Sequence, residues 1–193
     1  NSVCKAKLRD AHKKLFKAAD ANDKDAAQMQ ELTFECHVSH GIALFIEALS
    51  DNNNRTVANV KSIMNKNGGT LETNGSLSFL FDRKGVFVVP RKDGMDVDEL
   101  EMELIDGGLE EMEQDDDYLT LYTAYEDFGN MVKMLEQKGI ECESAELQRI
   151  PKTLRQVDED TIRKVMKVIG ILEEDDDVTN VYHDMEIPDD FEE

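Results

Sequence analysis

Apolar residues alternate with polar residues in some stretches of the chain and recur at helical spacing in others, a pattern that predicts an α+β fold. Residues 30–38 and 42–49 both alternate, with Leu32, Phe34 and Cys36 on one face of the first stretch. The two stretches are separated by only a few residues. They therefore predict the strands of a β-hairpin.

The segment after the hairpin predicts a capped helix, a glycine stop and a third strand. The apolar stripe of the helix consists of Val57, Val60, Ile63 and Met64. Asparagine side chains precede the stripe, and we predict Asn54 as the N-cap. Residues 67–69 end the helix because asparagine and glycine tolerate a left-handed backbone. From Ser76 the apolar period changes to two, which predicts a strand with Leu77, Phe79 and Phe81 on one face.

The middle of the chain predicts a ferredoxin-like α+β sandwich at residues 85–155, because its elements follow the order strand, helix, strand, strand, helix, strand. The first strand is preceded by Arg83 and Lys84 and carries Gly85 and Phe87, a pattern similar to the RNA-stacking strand of an RRM. That strand is the third of an RRM, whereas this one is the first of its domain. The pattern therefore favours a buried strand with a basic entry.

A further helix from Asp158 and a strand at residues 178–183 follow the middle domain. A lone helix and strand cannot form a domain, whereas the preceding strand–strand–helix–strand unit has only one helix to cover its sheet. We therefore predict three parts. They are an N-terminal helical segment at 1–28, a split α+β domain at 29–84 plus 156–193, and an inserted ferredoxin-like domain at 85–155.

Charge is distributed unevenly along this acidic chain, whose formal net charge is -21. Residues 1–24 carry seven Lys/Arg and three Asp/Glu, and residues 25–92 carry seven of each. Residues 93–193 carry eight Lys/Arg and 33 Asp/Glu. A polyanion should therefore meet the N-terminal half of the chain, while the C-terminal half would repel it.

A candidate polyanion site lies on and around the predicted helix, because no acid occurs between Asp51 and Glu72. The free N–H groups at the start of the helix also favour an anion, although a capped surface helix is the simpler interpretation. Basic residues of the N-terminal segment could extend the site. The candidate nucleic-acid-binding residues are Lys13, Lys14, Lys17, Asn54, Arg55, Asn59, Lys61, Lys66, Arg83 and Lys84.

One long run carries a family resemblance. Residues 50–85, SDNNNRTVANVKSIMNKNGGTLETNGSLSFLFDRKG, closely resemble the signature region of the YebC/PmpR family of gene-expression regulators. The later run EEDDDVTNVYHDME resembles the C-terminal end of the same family. That family includes bacterial proteins described as transcriptional regulators and the mitochondrial translational activator of cytochrome c oxidase subunit I.

The resemblance implies a non-enzymatic regulator of gene expression that contacts DNA or ribosomal RNA, with the same inserted-domain arrangement. It also implies that residues 1–28 are a shortened remnant of the longer basic helical domain of the family. A ribosome-associated, monomeric, cytoplasmic protein is expected. Residues 36–41 depart from the Gly-Tyr-Gly-Pro-type turn that is usual in the family.

Motifs for catalysis or cofactor binding are missing from the sequence, so we expect neither enzymatic activity nor a cofactor. Cys36, His37 and His40 match no standard zinc spacing. The acidic runs at 115–117 and 173–177 are predicted to be solvated loops. Three cysteines without a C-x-x-C pair indicate a reducing compartment. The sequence shows neither an apolar run long enough to span a membrane nor a secretion leader.

An alternative function class is a non-catalytic ligand-sensing or protein-binding α+β module, whose acidic half docks basic partners. Ferredoxin-like sandwiches serve many functions, so the fold alone does not decide between the two classes. An apolar pocket with a few convergent polar groups would favour the alternative. Convergence of the basic residues of the N-terminal half on one exposed surface would favour nucleic-acid binding.

Overall fold

A computed structural model describes residues 29–188 and 191 of the chain. The predicted N-terminal helical segment at 1–28 lies outside these residues. The predicted α+β class is confirmed. The elements are β1 (Gln30–Val38), β2 (Ile42–Ser50), α1 (Asn53–Lys66), β3 (Thr70–Leu71), β4 (Phe81–Pro90), α2 (Val97–Ile105), β5 (Leu109–Gln114), β6 (Tyr118–Ala124), α3 (Phe128–Gln137), β7 (Ser144–Pro151), α4 (Glu159–Glu173) and β8 (Val178–His183).

The described residues divide into two compact units. The split unit contains residues 29–80 together with the chain from 151 onward, and the inserted unit contains residues 81–150. The sequence placed these boundaries a few residues later, at 84/85 and 155/156. Each unit has a four-stranded sheet of its own.

The split unit is built on a sheet of strand order β3-β1-β2-β8. β1 and β2 form the predicted antiparallel hairpin, with Phe34 opposite Ile46 and Cys36 opposite Leu44. Alternate residues of the strands point to one face, where α1 and α4 bury their apolar stripes in a single core. The most buried side chains of this core include Cys36, Ile42, Leu44, Ile46, Val60, Met64, Ile162, Val165 and Leu172.

The start of α1 differs from the sequence prediction. Asn52, and not Asn54, is the N-cap, because its side chain accepts a hydrogen bond from the backbone N–H of Arg55 at 3.2 Å. The backbone N–H of Asn52 itself donates to Ser50 Oγ at 2.9 Å, which fixes the chain where β2 ends. Asn54 therefore lies in the first helical turn, where it is exposed.

The predicted strand from Ser76 is wrong. Glu35 is buried on β1, and its carboxylate accepts hydrogen bonds from the backbone N–H groups of Gly75, at 2.6 Å, and Leu77. These N–H groups are therefore committed to a carboxylate and cannot join a β-ladder. Residues Ser78–Leu80 form a 3-10 turn in which Phe79 is 65% exposed, and the strand begins only at Phe81.

The inserted unit has the predicted βαββαβ order and a sheet of strand order β5-β6-β4-β7. α2 and α3 bury Leu100, Leu104, Met131 and Leu135 in its core. β4 is an inner strand of this sheet, and its Phe87 is fully buried. The strand with the RRM-like pattern is thus a core strand, as favoured from the sequence.

Candidate nucleic-acid interface

The start of α1 is packed against a carboxylate of the same chain. Asp177, which immediately precedes β8, is only 9% exposed. Its carboxylate accepts hydrogen bonds from Thr56 Oγ1 at 2.7 Å and Ser50 Oγ at 3.2 Å. Arg55 Nη2 lies 2.9 and 3.0 Å from the two carboxylate oxygens. An acid of this chain therefore already binds the side chains at the helix start, although the hydrogen bonds that it accepts come from side chains and not from the free N–H groups of α1.

One prediction about this region is wrong. The loop at 173–177 is not wholly solvated, because Asp177 is buried. The polar face of α1 also meets acids, because Asn59 Nδ2 donates to Asp175 Oδ2 at 2.9 Å and Arg55 Nη2 donates to Asp51 Oδ1 at 2.8 Å. Arg55 is consequently paired with two carboxylates and contributes little free positive charge, and the neutral amide of Asn59 is held by Asp175.

The hydrogen bonds to Asp177 also shift its titration. Burial alone would raise the pKa of this carboxyl, but hydrogen bonds from Thr56, Arg55 and Ser50, together with the charge of Arg55, outweigh it. The pKa of Asp177 in the folded chain therefore lies below its ordinary value of 3.8.

A pH dependence of stability follows from this lowered pKa. A carboxyl whose pKa is lower in the folded than in the unfolded chain stabilises the fold fully above its ordinary pKa, and this contribution disappears as the pH falls through the folded value. We expect the difference in free energy of unfolding between the wild-type chain and Asp177→Asn to be constant above about pH 5 and to shrink below about pH 4. Urea unfolding at several pH values measures this difference. A difference that grew on acidification would contradict the assignment.

Lys61 and Lys66 are the predicted site residues that remain available on α1. Both side chains are exposed, and no carboxylate in the described part of the chain lies within ion-pair distance of either ammonium group. The helix between them carries no acid. These two lysines therefore present charge that a phosphate could use.

α4 supplies further exposed cations that the sequence analysis missed. Arg163, Lys164 and Lys167 are exposed, and no acid occurs between Asp160 and Glu173. Lys164 Nζ lies 2.6 Å from Asp160, whereas Lys167 has no ion-pair partner among residues 29–188 and 191. The sequence feature that could have revealed these cations is the acid-free interval at 161–172. The strongly negative net charge of residues 93–193 concealed it.

The cations of α1 and α4 belong to one layer. Both helices bury their apolar stripes in the same core against the same sheet face, so their exposed side chains point away from that sheet. We call these residues the helix-layer cations. They are Lys61, Lys66, Arg163, Lys164 and Lys167.

The remaining candidate residues do not belong to α1. Arg83 and Lys84 belong to the inserted unit, where the Arg83 guanidinium stacks 4.4 Å from the ring centroid of Tyr125. Lys84 Nζ lies 3.4 Å from a carboxylate oxygen of Glu110. The candidate residues Lys13, Lys14 and Lys17 lie outside the described residues. Within the split unit, the structure thus brings together the members on α1 and adds those on α4.

Cys36 and His37 lie at the end of β1, and His40 lies in the turn that follows. Burial and the nearby acids Glu72 and Glu35 raise the pKa of the Cys36 thiol to about 12, so it stays protonated. His37 Nδ1 lies 3.1 Å from Glu72 Oε1, and His40 Nδ1 lies 3.1 Å from Thr161 Oγ1. Among the described residues, no three His, Cys, Asp or Glu side chains gather as a metal site.

Helices long and apolar enough to cross a membrane do not occur in the part of the chain that the structure describes.

Comparison with known proteins gives three consistent findings. Residues 29–185 match the family model described as the TACO1/YebC second and third domain. A probable transcriptional regulatory protein of Flavobacterium psychrophilum is 48% identical over 166 residues, which cover 86% of this chain and 70% of that protein. A protein of the same description from Porphyromonas gingivalis is 45% identical over 165 residues, covering 86% of this chain and 68% of its own length.

A solved structure agrees with these sequence matches. The crystal structure of a conserved hypothetical protein from Aquifex aeolicus superposes with a TM-score of 0.73 at 35% sequence identity. The superposition covers 84% of this chain and 67% of that one. The family model spans most of the chain and agrees with the run at 50–85 that carried the resemblance. The chain therefore belongs to the TACO1/YebC family.

Proposed function

We propose that this protein is a non-enzymatic regulator of gene expression that contacts nucleic acid through the helix layer of its split unit. Membership of the TACO1/YebC family and the naming of its relatives as probable transcriptional regulatory proteins support the regulatory role. The contact would be made in the cytoplasm by a monomer.

The observation that carries the proposal is the free charge on two neighbouring helices of an acidic protein. Lys61, Lys66 and Lys167 are exposed and have no carboxylate partner among the described residues. Lysine ammonium groups bind phosphates as point charges and position a protein without selecting a base sequence. The surface is therefore suited to a phosphate backbone.

Ribosomal RNA suits this arrangement better than promoter DNA. The inserted unit carries 20 Asp/Glu and seven Lys/Arg, so most of the molecule repels a polyanion. A large folded RNA can accept one basic contact face while the acidic remainder stays in solvent. Sequence-specific reading of DNA would need a recognition element in the major groove, whereas phosphate contacts by lysine ammonium groups position a protein without reading its sequence.

The test is a pair of charge-reversal variants measured on two nucleic acids. Lys61→Glu/Lys66→Glu is expected to weaken binding to ribosomes and to reduce the salt slope on duplex DNA by about 0.9 for each lysine that contacts a phosphate. We expect an increase in Kd of at least about tenfold at low salt, equivalent to ~1.4 kcal/mol. Lys167→Glu tests the α4 side of the surface separately.

The matched control is Lys92→Glu/Lys133→Glu, which makes the same change in net charge on exposed lysines of the inserted unit. If the control weakened binding as much as the helix-layer variant, overall charge and not this surface would govern binding. A salt-independent Kd would also count against the proposal. Comparison of ribosomes with duplex DNA, both at the same ionic strength, decides between the two nucleic acids.

A further inference from the structure

The helix α2 of the inserted unit exposes two large apolar side chains to solvent. Met102 is 67% exposed and Ile105 is 59% exposed. The two residues are three positions apart, so they are neighbours on one side of the helix. Leu100 and Leu104 of the same helix are buried in the core. α2 therefore carries apolar surface on its solvent side as well as on its core side.

Carboxylates surround this apolar pair. Residues three or four positions away on a helix are neighbours on its surface. For Met102 and Ile105, the neighbours within α2 and at its C-cap, apart from each other, are all acidic and exposed, namely Asp98, Glu99, Glu101 and Asp106. Glu103, which is not one of them, is paired with Lys138 Nζ at 2.5 Å. The four surrounding carboxylates have no such ion-pair partner among residues 29–188 and 191.

The sequence around α2 is free of cations over a long interval. Residues 93–132 carry 15 Asp/Glu and no Lys/Arg, and they all belong to the inserted unit. Such a surface repels nucleic acid and anionic lipid headgroups and attracts cationic groups. Charge complementarity therefore selects a basic occupant. Exposed apolar surface rimmed by polar groups marks interaction sites, so the occupant should also bring apolar side chains.

We propose that α2 docks a lysine- or arginine-rich amphipathic segment of another protein. Met102 and Ile105 form the apolar centre of the contact, and the surrounding carboxylates form its charged rim. The methionine side chain is flexible and can adapt to the apolar residues of the partner. The contact lies in the inserted unit, so it does not depend on the nucleic-acid contact proposed for the helix layer of the split unit.

The test uses the full chain and a synthetic peptide of lysine and leucine, with leucine at helical spacing. Met102→Ser/Ile105→Ser is expected to raise the Kd of this peptide at least about tenfold, equivalent to ~1.4 kcal/mol. Glu101→Gln/Asp106→Asn is expected to raise it about fivefold at low salt and by less at high salt, because salt screens exposed charges. Fluorescence anisotropy of the labelled peptide measures both changes. All four substituted side chains are exposed, and circular dichroism checks that each variant is folded.

Two control variants separate this surface from overall charge and overall apolarity. The charge control is Glu111→Gln/Glu113→Gln on β5. Met112 between them packs against the core, so both glutamates point to the sheet face opposite the helices. The apolar control is Phe79→Ser, which removes an exposed ring from the split unit. Both controls should leave the Kd of the peptide unchanged.

A second peptide tests the apolar part of the contact. It has glutamine in place of every leucine, and it should bind more weakly than the lysine/leucine peptide. Equal binding of the two peptides would overturn the proposal, because the carboxylates alone would then explain the interaction. Weakening of the lysine/leucine peptide by the control variants, to the same extent as by the α2 variants, would overturn it as well.

Other occupants of α2 are distinguished by two further measurements. A dimer in sedimentation velocity that Met102→Ser/Ile105→Ser dissociates would make a second copy of this chain the occupant. Tighter peptide binding after deletion of residues 1–24, which carry seven Lys/Arg, would make that segment the occupant. Either result would overturn docking of another protein. Peptide binding that survives Lys61→Glu/Lys66→Glu would show that the α2 contact is independent of the proposed function.

Discussion

Replacing Asp177 by alanine is expected to lower the free energy of unfolding by about 3 kcal/mol. The substitution leaves Thr56 Oγ1, Ser50 Oγ and the Arg55 guanidinium without the carboxylate that accepts from all three. Removing one partner of an ion pair in which both side chains are buried costs about 3–5 kcal/mol. Here the Arg55 side chain is 49% exposed, and water can replace part of the lost interaction.

The control for this variant is Asp176→Ala, which removes the neighbouring carboxylate from an exposed position. Urea unfolding followed by far-ultraviolet circular dichroism gives both free energies. Hydrogen exchange adds a local measurement, because the backbone N–H of Leu49 donates to the carbonyl of Asp177 at 2.8 Å and should exchange faster in the variant. Equal stabilities of the two variants would show that Asp177 does not hold the start of α1.

Sequence periodicity was sufficient to predict the elements whose apolar residues mark the core face. β1 alternates along Leu32, Phe34 and Cys36, and α4 carries a complete apolar stripe. β2, by contrast, is buried on both faces, because Ala43 and Phe45 are as enclosed as its core-facing residues. The same reasoning was weaker for α1, whose Val57 is 40% exposed although it belongs to the predicted stripe. Thr56, and not Val57, is buried in the first turns of α1, because the Thr56 hydroxyl donates to Asp177. A polar residue is buried there for its hydrogen bond, which an apolar pattern cannot reveal.

The candidate site was harder to predict because it depends on pairs that are distant in sequence. Arg55 and Asp177 are 122 positions apart, and only the return of the chain to the split unit brings them together. α4 was missed for the same reason, since its cations occur within the acidic half of the sequence and join α1 only after folding. The sequence shows which residues are charged, whereas the fold determines which of these charges remain unpaired.

The second large effect is expected at Gly85, where the inserted unit has no room for a side chain. A Cβ at this position would collide with Thr123 Oγ1, directly opposite on β6, and would lie 2.8 Å from Phe128 Cδ2. Phe128 stacks on Phe87 with ring centroids 4.9 Å apart, and Thr123 is fully buried. None of these groups can move freely, so we expect Gly85→Ala to destabilise the inserted unit by about 2–3 kcal/mol.

Tyrosine fluorescence is a suitable measurement, because the chain has no tryptophan and three of its four tyrosines, Tyr118, Tyr122 and Tyr125, lie in the inserted unit. Gly129→Ala is the matched control. It makes the same substitution in α3, where no atom lies within 4 Å of the added Cβ, and alanine in a helix is favoured over glycine by up to ~1 kcal/mol. The two variants should therefore move the unfolding midpoint in opposite directions. A neutral Gly85→Ala would mean that Phe128 and Thr123 can withdraw from β4, and that the glycine is not needed for the close packing of this core strand.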